Sequence, residues 1–123
     1  MRDHLLRWQL DGYPAYHADR TNLLIHIVAV PSFVAATLVL ACGVARLSGW
    51  MVVTGLLGMG VAFLVQGIGH GREATPSIPF AGPVDAVTRI FAEQFVTFPR
   101  FVVGGTWRRA LAAARGPGPH PPR

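Results

Sequence analysis

The chain contains no lysine: all eleven of its basic residues are arginine. That removes Schiff-base chemistry on a lysine amine and any phosphate loop built around a lysine. There is a single cysteine, Cys42, which excludes an intramolecular disulfide and a cysteine-based zinc site. Charge of either sign is scarce. Asp, Glu and Arg make up 14% of the 123 residues, against about a quarter in an ordinary soluble domain. The apolar fraction is 51% and the mean hydropathy +0.40. This length suits one domain, and this composition points to lipid rather than to a water-solvated globule. The net charge of +5 is not gathered into a basic face interleaved with aromatics, so nucleic acid is not an expected partner.

The scarce charges leave two gaps. Thr21–Ala45 and Leu47–Gly71 contain no Asp, Glu or Arg, and each is 25 residues long. A helix needs about 20 residues to cross the hydrocarbon core. The segment between them, Arg46-Leu47-Ser48-Gly49-Trp50, reads as a tight turn. The expectation is a transmembrane hairpin, Leu23–Ala45 and Trp50–Gly69. The turn holds one Arg and the flanks hold ten, so the positive-inside bias puts both termini in the cytoplasm. Val39-Leu40-Ala41-Cys42 faintly resembles a lipoprotein cleavage box. The acids ahead of the apolar run and the second span after it argue against a removable signal.

The second span is rich in glycine, and Gly58 with Ala62 forms a small-xxx-small pair suited to close helix packing in lipid. Pro31 should kink the first span and free a carbonyl. Beyond Gly71, prolines 76, 79 and 83 mark a loop. Then Val84, Val87, Phe91, Phe95, Phe98 and Val102 recur at helical spacing, opposite Asp85, Arg89, Glu93, Thr97 and Arg100. This predicts an amphipathic or interfacial helix over Val84–Val103. Its apolar stripe should face the hairpin or acyl chains, and an exposed Arg89–Glu93 pair should lie on the other side. Trp107-Arg108-Arg109 reads as an interfacial anchor. Residues 5–16 can form a short amphipathic helix through Leu6, Leu10 and Tyr13. The expected fold is all-α, a small integral membrane helical bundle: one membrane-embedded domain over 1–115, followed by a disordered Pro/Gly tail over 116–123.

Five histidines are many for so short a chain. With Thr21 or Asn22 as N-cap, His26 falls at the start of the first span, and His70 falls at the end of the second. A hairpin brings those two ends to one membrane face. His17 lies nine residues before His26, on the opposite side of a continuous helix, so it joins them only if the chain breaks at Thr21–Asn22. Glu73 follows His70 by three residues, and Gln66 precedes it by about one turn. His4 and His120 lie near the ends and read as solvated. Ionisable groups at membrane depth are costly and usually functional. Imidazoles with a carboxylate suit a first-row metal, non-haem Fe(II) among them. Two other readings fit the same spacing. In one, His26 and His70 are axial ligands of haem. In the other, the histidines are structural, bonded to backbone carbonyls in a membrane scaffold.

Two blocks carry a resemblance. Tyr16-His17, Asn22-Leu23-Leu24-Ile25-His26 and Val30-Pro31 resemble the first motif of the yeast endoplasmic-reticulum 2-hydroxy fatty acid dioxygenase family. Gln66-Gly67-Ile68-Gly69-His70-Gly71, with Glu73 and a proline after it, resembles the second. Together they span about a third of the chain. The resemblance implies an α-helical membrane enzyme that uses Fe(II) and O₂ to remove one carbon from a 2-hydroxy fatty acid. By position it implies His17, His26 and His70 as iron ligands. Glu73 stands closer to His70 than in the yeast motif. The acyl chain would lie between the hairpin and the Phe91/Phe95/Phe98 stripe, and Arg72 or Arg20 would either meet its carboxylate or serve only as positive-inside anchors. The Arg-only basic set and the Ala/Gly/Pro richness point to a bacterial inner membrane.

Overall fold

The computed structural model describes residues 4–114. The tail over 116–123, His120 included, lies outside the described residues. The fold is all-α, as expected. Its order is α1 (Leu5–Tyr16), α2 (Arg20–Ala45), α3 (Gly49–His70), α4 (Pro83–Ala92), a π-helical turn (Glu93–Thr97), α5 (Phe98–Val103) and α6 (Thr106–Ala113).

α2 and α3 form the hairpin that the two uncharged gaps predict. At 1.5 Å per residue their 26 and 22 residues extend about 39 and 33 Å, against a hydrocarbon core of about 30 Å. Both are long and apolar enough to cross a membrane. α2 starts three residues earlier than expected, because Asp19 is its N-cap and accepts from the Asn22 N–H at 3.0 Å. The helix continues through Pro31. The turn places Leu47 at a positive φ of 53°, and Ser48 caps α3 by accepting from the Met51 N–H.

Small residues set the hairpin's spacing. A Cβ on Gly55 would stand 2.6 Å from the Leu40 backbone nitrogen, and one on Gly58 would stand 2.9 Å from the Ala36 Cβ. The helices therefore approach along a glycine-and-alanine seam that includes the buried Ala62. Their outer faces carry Val28, Leu38, Val44, Leu56, Leu57, Val61, Leu64 and Ile68, all exposed. Only 28% of the most apolar stretch of α2 and 17% of that of α3 is buried within the protein, far less than in a core helix.

α4 begins at Pro83, where the missing N–H would be unpaired in any case. The helix then widens into the π-turn and resumes as α5, with Pro99 in its first turn. The expected amphipathic helix is present: Phe91 packs on Phe33 of α2 and Phe98 enters the core, but the polar edge expected outside is turned inward. Gln94 and Thr97 are buried, and Glu93 turns toward the other helices, while Val84 and Val87 are exposed and Phe91 and Phe95 are half-exposed. An apolar stripe outside with the polar edge satisfied inside is the arrangement that lipid favours. The π-turn assists by adding a residue to the turn, which brings Glu93, Gln94 and Thr97 onto the inner side. Arg89 does not pair with Glu93. It donates to Asp85 and to the carbonyls of Ile78 and Pro79.

Tyr13, Leu23, Val30, Phe98 and Phe101 form the buried core. Trp107, expected at the interface, packs on this core and donates from Nε1 to the Leu23 carbonyl at 3.0 Å. α6 is thereby tied to the start of α2.

Candidate metal centre

Four separate elements converge beside that core. His17 follows α1 as its C-cap, His26 lies in the second turn of α2, His70 ends α3, and Glu93 opens the π-turn. One ligand atom from each of the four lies within 4.8 Å of every other, so the group could hold a metal ion. The imidazole centroids are 4.7 Å (His17–His26), 4.7 Å (His17–His70) and 4.9 Å (His26–His70) apart, each pair edge-on.

The break that admits His17 lies between the two helices, at His17–Asp19, and not at Thr21–Asn22. Asp19 caps α2, and the Glu73 carboxylate accepts from the backbone N–H of Ala18, at 2.7 Å, and of Asp19. Glu73 therefore fixes the turn that delivers His17 and is not part of the histidine cluster. Arg72 pairs with Asp19 at 3.4 Å, and Arg20 is exposed. Gly69 presses against Asn22 so closely that a Cβ would collide with the Asn22 side chain. This contact seats His70 beside His26. Gln66 is a helix–helix link: it exchanges two hydrogen bonds with Gln94, at 2.9 and 2.8 Å.

The backbone fixes the imidazole tautomers. His17 Nδ1 lies 3.0 Å from the Tyr13 carbonyl and His26 Nδ1 lies 2.9 Å from the Asn22 carbonyl. A carbonyl only accepts, so both Nδ1 atoms carry the proton and both Nε2 atoms present a lone pair. The structural reading of these histidines thus accounts for one nitrogen in each, through the carbonyl four residues back rather than one freed by Pro31. It does not account for the other. His17 Nε2, His26 Nε2 and His70 Nδ1 are buried with no hydrogen-bond partner among the described residues. His17 Nε2 and His26 Nε2 stand 3.6 and 3.9 Å from Glu93 Oε1, too far for a hydrogen bond. Lone pairs facing a carboxylate need a cation or a shared proton between them, and a metal ion meets that need.

Glu93 suits this role. Burial pushes its carboxyl up, but His17 beside it, with the other two imidazoles, pulls further the other way, and the group sits below the usual glutamate value. Tyr13 stacks on His17 at 3.7 Å with the rings 7° apart, and its hydroxyl donates to Glu93 Oε1 at 2.9 Å. Burial, then the Glu93 charge, raises the Tyr13 phenol well above its ordinary value, so it stays a donor. Haem ligation by His26 and His70 does not match this geometry. Their rings lie edge-on, and His17 touches both, which leaves no slot for a macrocycle.

Sequence reasoning brings His17, His26 and His70 to one place and passes over Glu93 and Tyr13. It assigns Glu93 to a solvated face. A signal for Glu93 is nonetheless present: a glutamate opposite an apolar stripe, in a chain this poor in charge, belongs to the interior of a bundle. His4 is exposed at the start of α1, away from the cluster.

A cavity of about 580 Å³ opens onto the cluster, with His17, His70 and Glu93 in its wall. No protein-family model, curated protein or solved structure matches the chain.

Proposed function

We propose that the protein is a membrane-embedded, Fe(II)-dependent dioxygenase that removes one carbon from a 2-hydroxy fatty acid. The observation that carries this reading is the set of three buried, partnerless imidazole nitrogens around one carboxylate. Three nitrogens and one oxygen, with no thiolate, are a donor set that suits non-haem iron. The resemblance of the two histidine blocks to the dioxygenase family supports the same chemistry. The exposed apolar faces of α2 and α3 support a place in the bilayer, with the arginine asymmetry directing both termini to the cytoplasm.

Bound at this centre, Fe(II) would supply the O₂ chemistry and a chelation point for the adjacent hydroxyl and carboxylate of a 2-hydroxy acid. One O₂ per substrate balances to the shortened acid, CO₂ and water, so no external reductant is required. The protein's own part is positioning. The carbonyls of Tyr13 and Asn22 hold two imidazoles in the tautomer that points a lone pair inward. Tyr13 fixes Glu93 and backs His17. The Gln66–Gln94 pair joins α3 to the π-turn that carries Glu93 and satisfies two buried amides.

The test is direct. Protein purified in detergent and loaded anaerobically with Fe(II) should convert a long-chain 2-hydroxy fatty acid to the acid one carbon shorter when O₂ is admitted. Protein that binds iron but leaves every 2-hydroxy acid unchanged would refute the activity.

A further inference from the structure

The cavity beside the centre has a polar end and an apolar body. His17, His70 and Glu93 form the polar end, and Trp8, Phe63, Ile78, Pro79, Phe80 and Ile90 line much of the remainder. Its volume falls in the range of small-molecule sites. Asp11, Tyr16 and Ser77 also line it, and several other polar groups in its wall are satisfied within the protein. Gln66 and Gln94 bond each other, and Arg89 is spent on Asp85, Ile78 and Pro79 while its guanidinium lies over the rings of Trp8 and Phe80. A guest therefore finds a largely apolar passage with the imidazole and carboxylate cluster at one end.

Gly67 lines this passage three residues before His70. A Cβ on Gly67 would meet nothing within 4 Å. Gly55 and Gly69 are different, because backbone or side-chain atoms crowd the place a Cβ would take. Packing thus requires those two glycines and does not require Gly67. A glycine inside a helix is also less favourable than alanine. What its missing side chain provides is open width beside the centre. Four residues earlier, Phe63 lines the same cavity and is 41% exposed on the outer face of α3. From His70 to Phe63 the helix rises about 10 Å, so the passage runs from the centre along α3 to a surface that faces lipid.

We infer that this cavity is the binding site for a substrate's unbranched acyl chain, and that Gly67 is the position whose lack of a side chain lets a long chain pass. The inference rests on the dioxygenase reading for the identity of the head group. It also moves the chain from the place the sequence suggests. Phe91 packs on the buried Phe33 of α2 and on Phe95, and none of the three lines the cavity.

The experiment uses full-length protein in lipid nanodiscs, with three variants: Gly67→Leu, Gly67→Ala and Gly60→Leu. Gly60 also has open space where a Cβ would stand, with nothing within 4 Å, but it does not line the cavity. Occupancy is read without turnover, from quenching of Trp8 fluorescence by a long-chain saturated fatty acid brominated near its terminal methyl. Trp8→Phe defines the Trp8 signal. Gly67→Leu should weaken binding of the brominated chain by about tenfold or more, with iron content retained. Gly67→Ala, which favours the helix and folds at least as well, should show a smaller loss in the same direction. Gly60→Leu should bind like wild type. Equal binding by Gly67→Leu and wild type would overturn the inference. Binding of the brominated chain by wild type, with no turnover of any 2-hydroxy acid, would uphold the chain site and refute the dioxygenase reading.

Discussion

The Tyr13 hydroxyl donates to Glu93 Oε1 at 2.9 Å, joining two residues 80 positions apart. The same phenol ring stacks on His17. One side chain thus orients two members of the cluster while lying outside it. Tyr13→Phe keeps the stacking and removes only the hydrogen bond. The expected result is a loss of metal affinity of about 10–100-fold, the usual effect of deleting a group that orients a metal ligand. A competitive chelator titration checks it, and unchanged affinity would show that Glu93 needs no such support.

Gly69 and Gly60 separate packing from helix propensity on one helix. A Cβ at Gly69 collides with Asn22, whose carbonyl holds His26, whereas a Cβ at Gly60 meets nothing. Gly69→Ala should destabilise the protein by about 1–3 kcal/mol, as overpacking does. Gly60→Ala should be neutral or stabilising by up to about 1 kcal/mol. Thermal melts in detergent distinguish them, and equal melts would mean that the α2–α3 contact has room to spare at Gly69.

Arg89 carries more of the fold than an exposed charge. It bonds two carbonyls and Asp85 and lies against Trp8 and Phe80. Arg89→Ala should cost about 1–3 kcal/mol, because it leaves part-buried acceptors unpaired. It should also speed proteolysis over residues 77–80. Phe95→Leu, on the half-exposed outer face, should cost less than about 1 kcal/mol. A larger effect at Phe95 than at Arg89 would put the polar edge outside.

Acid should release the metal. Protons compete with metal for imidazole lone pairs, so affinity falls as pH falls. Glu93 behaves differently. Its folded value lies below the ordinary 4.5. Its contribution to stability is therefore present above that value and is lost only as pH falls through the lower, folded one. Metal content followed by pH titration should fall as the medium is acidified. Metal content that did not change with pH until the protein unfolds would contradict imidazole ligation.

The hairpin is legible because a charge-free run long enough to cross lipid is a one-dimensional signal. The pairing of His26 with His70 follows from it, since a hairpin has to bring the start of one helix to the end of the other. His17 needs a break in the chain, and the sequence offers several polar residues there. The actual break at His17–Asp19 depends on Glu73, 54 residues away from Asp19, which a local reading does not reach. Glu93 escapes a reading that gives the polar side of the helix to water or headgroups. The stripe through Phe91 and Phe98 meets the hairpin and the core as expected, but the edge bearing Glu93, Gln94 and Thr97 is turned inward, where partners on other helices satisfy it. Trp107 reads by residue type as an anchor, whereas its partner is the Leu23 carbonyl.

The central claim is that the buried cluster is a metal centre, and metal content measured across single variants tests it most directly. Wild type reconstituted with Fe(II) should hold about one ion per chain and melt at a higher temperature than the metal-free protein, since binding favours the folded state. His17→Ala, His26→Ala, His70→Ala and Glu93→Ala should each lose most of that iron and the associated rise in melting temperature. His4→Ala, outside the cluster, should retain both. Equal iron content and equal melting shifts in wild type and His70→Ala would contradict the metal centre and leave these histidines with a structural role alone.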